Sequence, residues 1–367
     1  MTALLTAAAA RGPAARIGLA LFVALFFAYL FGPLVLMGMT AFNSSAFPRV
    51  SPWECFSVEW FEVLAADKAL MEGLRNSVVI GLGVVALAVP TGLAGALMLM
   101  QIGERARPWY YTVVISPILI PGVVLGISTL LFWDRIGAMF GAGHKTFFYD
   151  GVFLTVIGQA TFISAYCMLV FISRLQRFDP VLHEAALDLG ATPVQAFRRV
   201  LLPFLKPAIA SAAVLAFLAS FENYNTTVFT IVSESTLTTV LAGKVRYGIN
   251  PSISALAVVV VAVTLFFAAV FEVVRRRGRR AAAESEKTAR NPPRRSRTRK
   301  KPLLLEPALL LILAVFVAGI GTAWFAGSVG LEECKAAVLE EKRRDAEERV
   351  RTFQQRRMFR RAAPATD

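Results

Sequence analysis

The sequence predicts an all-α polytopic membrane protein. Of its 367 residues, 56% are hydrophobic, and the mean hydropathy is +0.59. The apolar residues are concentrated in runs of about twenty or more, which is long enough to cross about 30 Å of hydrocarbon as a helix. Such runs are far too long for the strands of a membrane barrel, so the membrane segments are expected to be helices.

Seven apolar runs have the length of a membrane span. The first run follows two arginines, as in a signal peptide, but it is long and no small-residue cleavage site follows it, so a retained first span is expected. The seven runs are Ile17–Thr40, Leu74–Met100, Trp109–Trp133, Val152–Ser173, Pro207–Val232, Ile253–Val274 and Leu303–Phe325.

The distribution of Lys and Arg predicts the orientation, because cytoplasmic loops carry an excess of both. With the N-terminal segment 1–16 in the cytoplasm, the inner side holds most of the basic residues, and the net charge of +14 reports topology and anionic lipid contact rather than nucleic-acid binding. The inner residues are Arg11, Arg16, Arg105, Arg107, Arg174, Arg177, Arg198, Arg199, Lys206 and the run 275–301; the outer ones are Arg49, Lys68, Arg135, Lys145, Lys244 and Arg246.

A polar stretch between the fourth and fifth runs predicts two short helices joined by a turn. Asp179-Pro180 is a good helix start, and Gly190 supplies a left-handed stop. Thr192 and Gln195 then form a capping box that starts a second helix. Residues 179–203, called the elbow below, are expected on the cytoplasmic surface.

The elbow also carries a specific spacing of small, acidic and proline residues. It resembles the cytoplasmic loop by which permease subunits of bacterial ABC importers contact their ATPase, although Val200 stands where isoleucine is more usual. An ordinary amphipathic hairpin is the alternative, and the membrane spans on both sides favour the motif. The matching residues, which the resemblance implies to be the ATPase contacts, are Glu184, Ala185, Ala186, Gly190, Leu202 and Pro203.

The resemblance extends over about 17–274 and is greatest to the second permease subunit of spermidine/putrescine importers. It implies a six-helix permease domain in the bacterial inner membrane, packed against a homologous permease, with two copies of an ATP-binding subunit and a periplasmic solute-binding protein. The supporting segments are Phe56–Trp60, Asn76-Ser77, Ser116–Gly126 and Asn250–Ala257.

No catalytic or metal-binding constellation is visible in the sequence. His144 and His183 are too few and too separated for a metal site or a nucleophile–base pair. Gly243-Lys244 lacks the remaining residues of a phosphate-binding loop, because Val245 follows it and Thr238 replaces the first glycine. The chain is therefore expected to be no enzyme and to need no cofactor, with ATP hydrolysed by another polypeptide.

The densest polar cluster within an apolar run is Ser220–Thr227, assigned to the fifth span. Polar groups inside a span are costly and usually face a cavity or another helix. A carboxylate, amides and aromatic rings suit a cationic amine, so the cluster is a candidate substrate path; a helix end or an interhelical contact is the alternative. Gln159 is expected to be an interhelical hydrogen-bond donor. The candidate path residues are Glu222, Asn223, Tyr224 and Asn225.

The C-terminal third departs from the resemblance. A basic cytoplasmic linker (275–302), expected to be unstructured, precedes an extra span (303–326) and a charged tail (327–367) in which Leu331–Met358 has helical spacing. An interfacial helix is the alternative to the extra span. Three unpaired cysteines are expected, with a bond between Cys55 and Cys334 conceivable only if the tail is external.

These observations predict a non-enzymatic importer permease, with a polyamine as the first choice of solute. The same branch of permeases also carries iron, phosphonates, thiamine or opine-like compounds. A secondary transporter would explain only the spans and Glu222, and a membrane scaffold would explain only the C-terminal extension.

Overall fold

The computed structural model describes residues 13–143, 146–290 and 307–362. The segments 1–12, 291–302, 303–306 and 363–367, which belong to the predicted N-terminus, linker, extra span and tail, lie outside the described residues. The described chain is helical apart from turns, loops and one isolated antiparallel bridge between Asn43 and Phe56, which confirms the all-α prediction.

Fourteen α-helices are described here in chain order. They are α1 (Pro13–Ala41), α2 (Glu59–Ala66), α3 (Lys68–Gln101), α4 (Arg107–Ile115), α5 (Gly122–Met139), α6 (Gly151–Leu175), α7 (Pro180–Asp188), α8 (Pro193–Ala196), α9 (Leu202–Phe221), α10 (Thr227–Thr230), α11 (Leu237–Tyr247), α12 (Ser252–Arg290), α13 (Pro307–Ser328) and α14 (Leu331–Ala362). They belong to two compact units: residues 67–247 form one, and residues 1–66 with 248–367 form the other.

Six described helices are long and apolar enough to cross a membrane, and α13 with α14 forms a bent pair that adds a seventh candidate. The predicted first, second, fourth and sixth spans agree with this set to within a few residues. The six are Ile17–Ala41, Lys68–Gln101, Gly122–Met139, Gly151–Leu175, Pro193–Phe221 and Ser252–Val273.

The sequence predicts the third span as one continuous helix, but in the structure it is interrupted. Helix α4 ends at Ile115, a 3-10 turn covers Ser116–Ile118, and α5 begins only at Gly122. Pro117 and Pro121 explain the interruption, because proline lacks an N–H and the residue before it disfavours the α conformation.

The core of the 67–247 unit is formed by α3, α6 and α9. Helices α3 and α6 approach so closely that a Cβ on Gly92 would lie 2.6 Å from Cys167 Cβ and 2.7 Å from the Ser164 carbonyl oxygen. Small residues allow such backbone contact between membrane helices. Around this contact lie buried side chains including Val84, Ile163, Phe171 and Leu205.

In the other unit, α12 is longer than the predicted sixth span. The helix continues to Arg290, so the expectation of an unstructured linker is wrong for residues 275–290. At the start of α12, the Thr40 hydroxyl of α1 donates a 2.9 Å hydrogen bond to the buried Ser254 hydroxyl. Membrane helices commonly join through such side-chain hydrogen bonds.

The C-terminal extension folds back onto the loop that follows α1. Gly330, with φ +70°, forms the turn between α13 and α14. The first turn of α14 then lies against this loop, and Cys334 forms a disulfide with Cys55. The expectation of three unpaired cysteines is therefore wrong, and only Cys167, buried in α6, is free.

Candidate coupling elbow and translocation path

The first helix of the elbow has the predicted start and stop. The Asp179 carboxylate accepts a 3.0 Å hydrogen bond from the Val181 N–H at the start of α7. At its end, Gly190 adopts φ +82°, and its N–H donates to the Leu187 carbonyl at 2.9 Å, while the next N–H donates to Ala186 at 3.1 Å. This pair of bonds is a Schellman motif, which terminates the helix at Gly190.

The second helix of the elbow begins with the predicted capping box. The Thr192 hydroxyl accepts from the Gln195 N–H at 3.3 Å, and the Gln195 side-chain oxygen accepts from the Thr192 N–H at 3.0 Å. Both bonds satisfy backbone donors that a helix N-terminus leaves free. The angle between the two elbow helices is thus fixed by local hydrogen bonds.

The sequence predicts a second elbow helix that is short and separate from the fifth span. In the structure the two are continuous. Helix α8 continues through a π-helical turn at Phe197–Leu201 into α9, so Pro193–Phe221 is one helical segment, called the rod below. Leu202 and Pro203 form the first turn of α9 and Pro207 lies inside it, so these residues belong to the base of the rod.

Arg174, at the end of α6, holds the base of the rod. Its guanidinium donates to the Phe204 carbonyl from Nε at 3.3 Å and from Nη2 at 3.2 Å. The guanidinium also lies 4.1 Å from the centroid of the Phe204 ring, which adds a cation–π contact. The base of the rod is therefore attached to the end of the fourth span.

The tip of the elbow has an exposed apolar surface. Glu184 and Ala185 are exposed and Ala186 is half-buried. Aliphatic side chains surround them without burial in the described chain, and exposed patches of this kind mark protein-contact surfaces. The exposed fractions are 62% for Val181, 54% for Leu182, 90% for Leu189 and 62% for Val194.

The sequence predicts the candidate path residues within the fifth span, but in the structure they lie beyond its end. Helix α9 ends at Phe221, and the chain is not helical again until Thr227. Residues 222–226 are called the polar break below. The Asn223 side-chain oxygen accepts from the Thr226 and Thr227 N–H groups at 3.1 and 3.4 Å, so Asn223 starts α10.

Buried hydrogen bonds attach the two sides of the polar break to α6. Gln159 donates to the Thr227 hydroxyl at 2.8 Å and accepts from the Ser220 hydroxyl at 2.5 Å. One turn away, the hydroxyls of Thr155 and Thr230 lie 2.9 Å apart. Gln159 is therefore an interhelical hydrogen-bonding residue, as predicted, and it bridges the end of α9 to the start of α10.

The remaining groups of the polar break are available for contact. Glu222 and Asn225 are exposed, whereas Asn223 and Tyr224 are half-buried. Within the described residues, the Glu222 carboxylate has neither a hydrogen bond nor an ion pair. The Thr226 hydroxyl is buried there without a hydrogen-bond partner. An unsatisfied buried polar atom is uncommon and marks a place where a further donor or acceptor fits.

Helix α5 packs against the polar break so closely that its glycines contact the backbone of the break. A Cβ on Gly126 would lie 2.7 Å from the Thr226 carbonyl oxygen, and one on Gly122 would lie 3.0 Å from Asn225 Cβ. Only glycine leaves room for such an approach. The break is thus enclosed by α5 on one side and bonded to α6 on another.

Comparison with known proteins decides the family. Residues 88–280 match the family described as binding-protein-dependent transport system inner membrane component. The chain belongs to this family. It is a permease of the ABC importer type, and it is therefore a transport protein of the inner membrane rather than an enzyme.

Two relatives illustrate the similarity. The putrescine transport system permease protein PotI of Escherichia coli K12 is 32% identical over 238 residues, which cover 64% of this chain and 82% of PotI. The spermidine/putrescine transport system permease protein PotC of Haemophilus influenzae is 27% identical over 65% of this chain and 88% of PotC.

Solved structures agree on the fold. A bacterial ABC transporter involved in the import of the acidic polysaccharide alginate matches with a TM-score of 0.53 at 19% identity, covering 68% of this chain and 90% of that one. The alginate transporter in complex with an alginate pentasaccharide-bound periplasmic protein matches with a TM-score of 0.52 at 18% identity, covering 68% and 91%. At this identity the likeness concerns the fold alone.

Sequence reasoning missed three positions that hold the polar break and the base of the rod in place. Thr155 and Thr230 form the second bridge of the break, and Arg174 holds the base of the rod. A threonine in an apolar run gives little signal because its hydroxyl can bond its own helix. For Arg174, the available signal was a cation at the end of a span, which positive-inside placement already explains.

Proposed function

We propose that this permease carries a polyamine such as putrescine or spermidine into the cytoplasm. The observation that supports it is the exposed, unpaired carboxylate of Glu222 in the polar break that follows the fifth span, beside half-buried Tyr224 and the Asn225 amide. A carboxylate and an aromatic face both attract an ammonium group. Two relatives that carry putrescine or spermidine in their names add independent support.

The proposed complex contains this chain, a homologous permease, two copies of an ATP-binding subunit and a periplasmic solute-binding protein, in an inner membrane whose lipids surround the spans. The N-terminus and the elbow are on the cytoplasmic side, because Lys and Arg are concentrated there. No nucleic acid takes part.

In this proposal the elbow is the contact with the ATPase. Glu184, Ala185 and Ala186 lie on α7 among exposed aliphatic side chains, a surface that suits a groove in a partner protein. Gly190 fixes the angle at which α7 meets the rod, and Leu202 and Pro203 form the base of the rod.

The rod connects the ATPase contact to the polar break. Helix α9 has 20 residues and so spans about 30 Å at 1.5 Å per residue. A displacement of the elbow therefore reaches Phe221 and the adjoining Glu222 without crossing a loop. Movement there changes the position of the carboxylate relative to α6, which is how ATP binding would open and close the path.

The experiment is ATP-driven uptake of radiolabelled putrescine and spermidine into vesicles that contain the assembled complex with its solute-binding protein. We expect uptake that requires both ATP and the binding protein. If the assembled complex hydrolyses ATP in response to its binding protein and imports neither amine, the polyamine proposal is wrong and another solute of this permease branch takes its place. Uptake without ATP would overturn the importer mechanism itself.

A further inference from the structure

The C-terminal extension lies outside the region shared with the family, which ends at residue 280. Its helix α14 nevertheless has several bonds to the loop after α1. Besides the Cys55–Cys334 disulfide, Lys335 forms an ion pair with Glu59 at 2.7 Å and Lys342 forms one with Glu54 at 2.9 Å. Two cations one heptad apart on one helix thus meet two acids of the same loop region.

The packing at this contact is close. Cys55 is buried, with 2% of its surface exposed, and the Cα atoms of the two cysteines lie 6.1 Å apart, within the usual range for a disulfide. At the end of α13, a Cβ on Gly327 would lie 3.0 Å from the Val58 N atom. The contact therefore involves the end of α13 and the first three turns of α14.

Glu54 is the centre of an ionic cluster in this contact. Burial opposes its ionisation, but hydrogen bonds and charges from Lys342 and Arg49 outweigh burial and hold the pKa of the Glu54 carboxyl below its usual range. The Lys342 side chain of α14 thus stabilises the ionised form of Glu54.

The disulfide constrains the number of membrane crossings between Cys55 and Cys334, because both cysteines must lie on the same side of the membrane. Between Cys55 and Cys334, the described residues include five helices that are each long and apolar enough to cross a membrane. Five crossings would place the two cysteines on opposite sides of the membrane. A crossing by α13 raises the number to six, which places both on the same side. With 22 residues, α13 has a length of about 33 Å, enough for one crossing.

The distribution of Lys and Arg on the two sides of α13 also favours a crossing by this helix. The twenty residues before α13 contain Lys287, Arg290, Arg294, Arg295, Arg297, Arg299, Lys300 and Lys301; the twenty after it contain Lys335, Lys342, Arg343 and Arg344. Only residues close to a span bias its orientation, so this asymmetry keeps the linker inside and sends the tail outside.

We infer that α13 is a seventh membrane span and that α14 is a periplasmic helix, covalently attached through Cys334 to Cys55 in the first periplasmic loop. Disulfides form and persist in the periplasm but are rare in the cytoplasm. When this bond forms, the thiols of Cys55 and Cys334 lose two protons and two electrons to the disulfide of a periplasmic thiol–disulfide oxidant, which is released as a dithiol. The extension is therefore an anchored part of the periplasmic surface.

The covalent link is tested on the full-length protein with a protease site inserted between residues 291 and 302. Free thiols are blocked with N-ethylmaleimide in intact cells before purification and cleavage, so that no bond forms later. We expect the C-terminal fragment to stay attached on a non-reducing gel and to separate after reduction. Separation without reductant would contradict the inference.

Three variants control this experiment. Cys55→Ser and Cys334→Ser should each release the fragment without reductant, whereas Cys167→Ser should leave it attached because that thiol is buried in α6. Production in cells lacking the periplasmic thiol oxidant should also release it. A fragment that stays attached in Cys334→Ser would show that another linkage holds it and would overturn the assignment.

The side of the membrane is tested separately with a membrane-impermeant maleimide on spheroplasts. In a chain carrying Cys55→Ser and Cys167→Ser, Cys334 should react before the inner membrane is opened. Ser285→Cys in an otherwise cysteine-free chain is the matched control, and it should react only afterwards. Reaction of Cys334 only after lysis would place α14 in the cytoplasm and overturn the inference, whether or not the protein transports a polyamine.

Discussion

The elbow and the polar break lie at the two ends of the rod and are built in different ways. In the elbow, the bonds that fix the geometry join residues no more than five apart, as between Thr192 and Gln195. At the polar break, the bonds that attach it to α6 join residues 61 to 75 apart, as between Ser220 and Gln159. The elbow is a local structure with an exposed surface, whereas the break exists only because α5, α6 and α9 are packed.

This difference predicts which substitutions destabilise the whole 67–247 unit and which affect only their own surroundings. A substitution at the contacts that hold the break against α5 and α6 should lower the stability of the whole 67–247 unit, because these contacts connect elements far apart in sequence. A substitution in the elbow should leave that unit folded and weaken only the contact that we propose with the ATPase. The following predictions test this contrast.

The largest effect is expected from Gly126→Ala. The new methyl group would meet the Thr226 carbonyl at 2.7 Å, and a backbone atom cannot move aside as a flexible side chain can. We expect the free energy of unfolding to fall by about 2–3 kcal/mol, as in overpacked cores. Thermal unfolding in detergent measures this.

Gly243→Ala is the matched control for that variant, because no atom lies within 4 Å of the methyl position. It should not lower the unfolding temperature, because alanine is favoured over glycine by about 0.5–1 kcal/mol inside a helix such as α11. Equal unfolding temperatures for Gly126→Ala and the wild type would mean that α5 does not enclose the break.

A smaller effect is expected from Gln159→Leu. The substitution removes the acceptor of Ser220 and the donor to Thr227 in a buried position. The cost is expected to be about 1–2 kcal/mol, the range for buried and interhelical hydrogen bonds. Gln101→Leu, at the exposed end of α3, is the control, and equal stability of the two variants would contradict the bridging role.

Gly190→Ala should cost less and act locally. Alanine at φ +82° is strained by about 1 kcal/mol relative to glycine, and no atom crowds the position. We expect the unfolding temperature of the 67–247 unit to be retained, and the amount of ATPase subunit that copurifies with the permease to fall.

Gly190→Asn separates strain from side-chain contact, because asparagine tolerates the left-handed conformation better than alanine. It should restore more of the copurifying ATPase than Gly190→Ala. The reverse order would show that bulk at the position, rather than backbone conformation, weakens the contact.

The smallest effect is expected from Thr192→Ala, which removes one half of the capping box. An exposed cap contributes about 0.5–1 kcal/mol to its helix. Hydrogen exchange at the first turn of α8 should accelerate, with no change in α6. Thr192→Ser keeps the hydroxyl and should behave as the wild type; faster exchange there too would count against the cap.

The same contrast explains how far the sequence could be interpreted. The starts of both elbow helices and the stop of the first could be predicted, since Asp179, Gly190 and Thr192 act on their immediate neighbours, whereas the continuation of the second helix into α9 was not predicted. The end of the fifth span could not, because no proline or glycine stops α9 at Phe221 and the stop depends on bonds from Gln159. The Cys55–Cys334 bond was conceivable from the sequence but could not be preferred over free thiols, because a pair separated by 279 residues carries no local signal.

The most direct test of the central claim is ATP-driven putrescine uptake by the assembled complex carrying Glu222→Gln, with Glu72→Gln on an exposed part of α3 as the control. We expect Glu222→Gln to lose most of its uptake at low putrescine concentration while ATP hydrolysis still responds to the binding protein, and the control to transport as the wild type. Full uptake by Glu222→Gln would contradict the claim that the polar break forms the path of the amine.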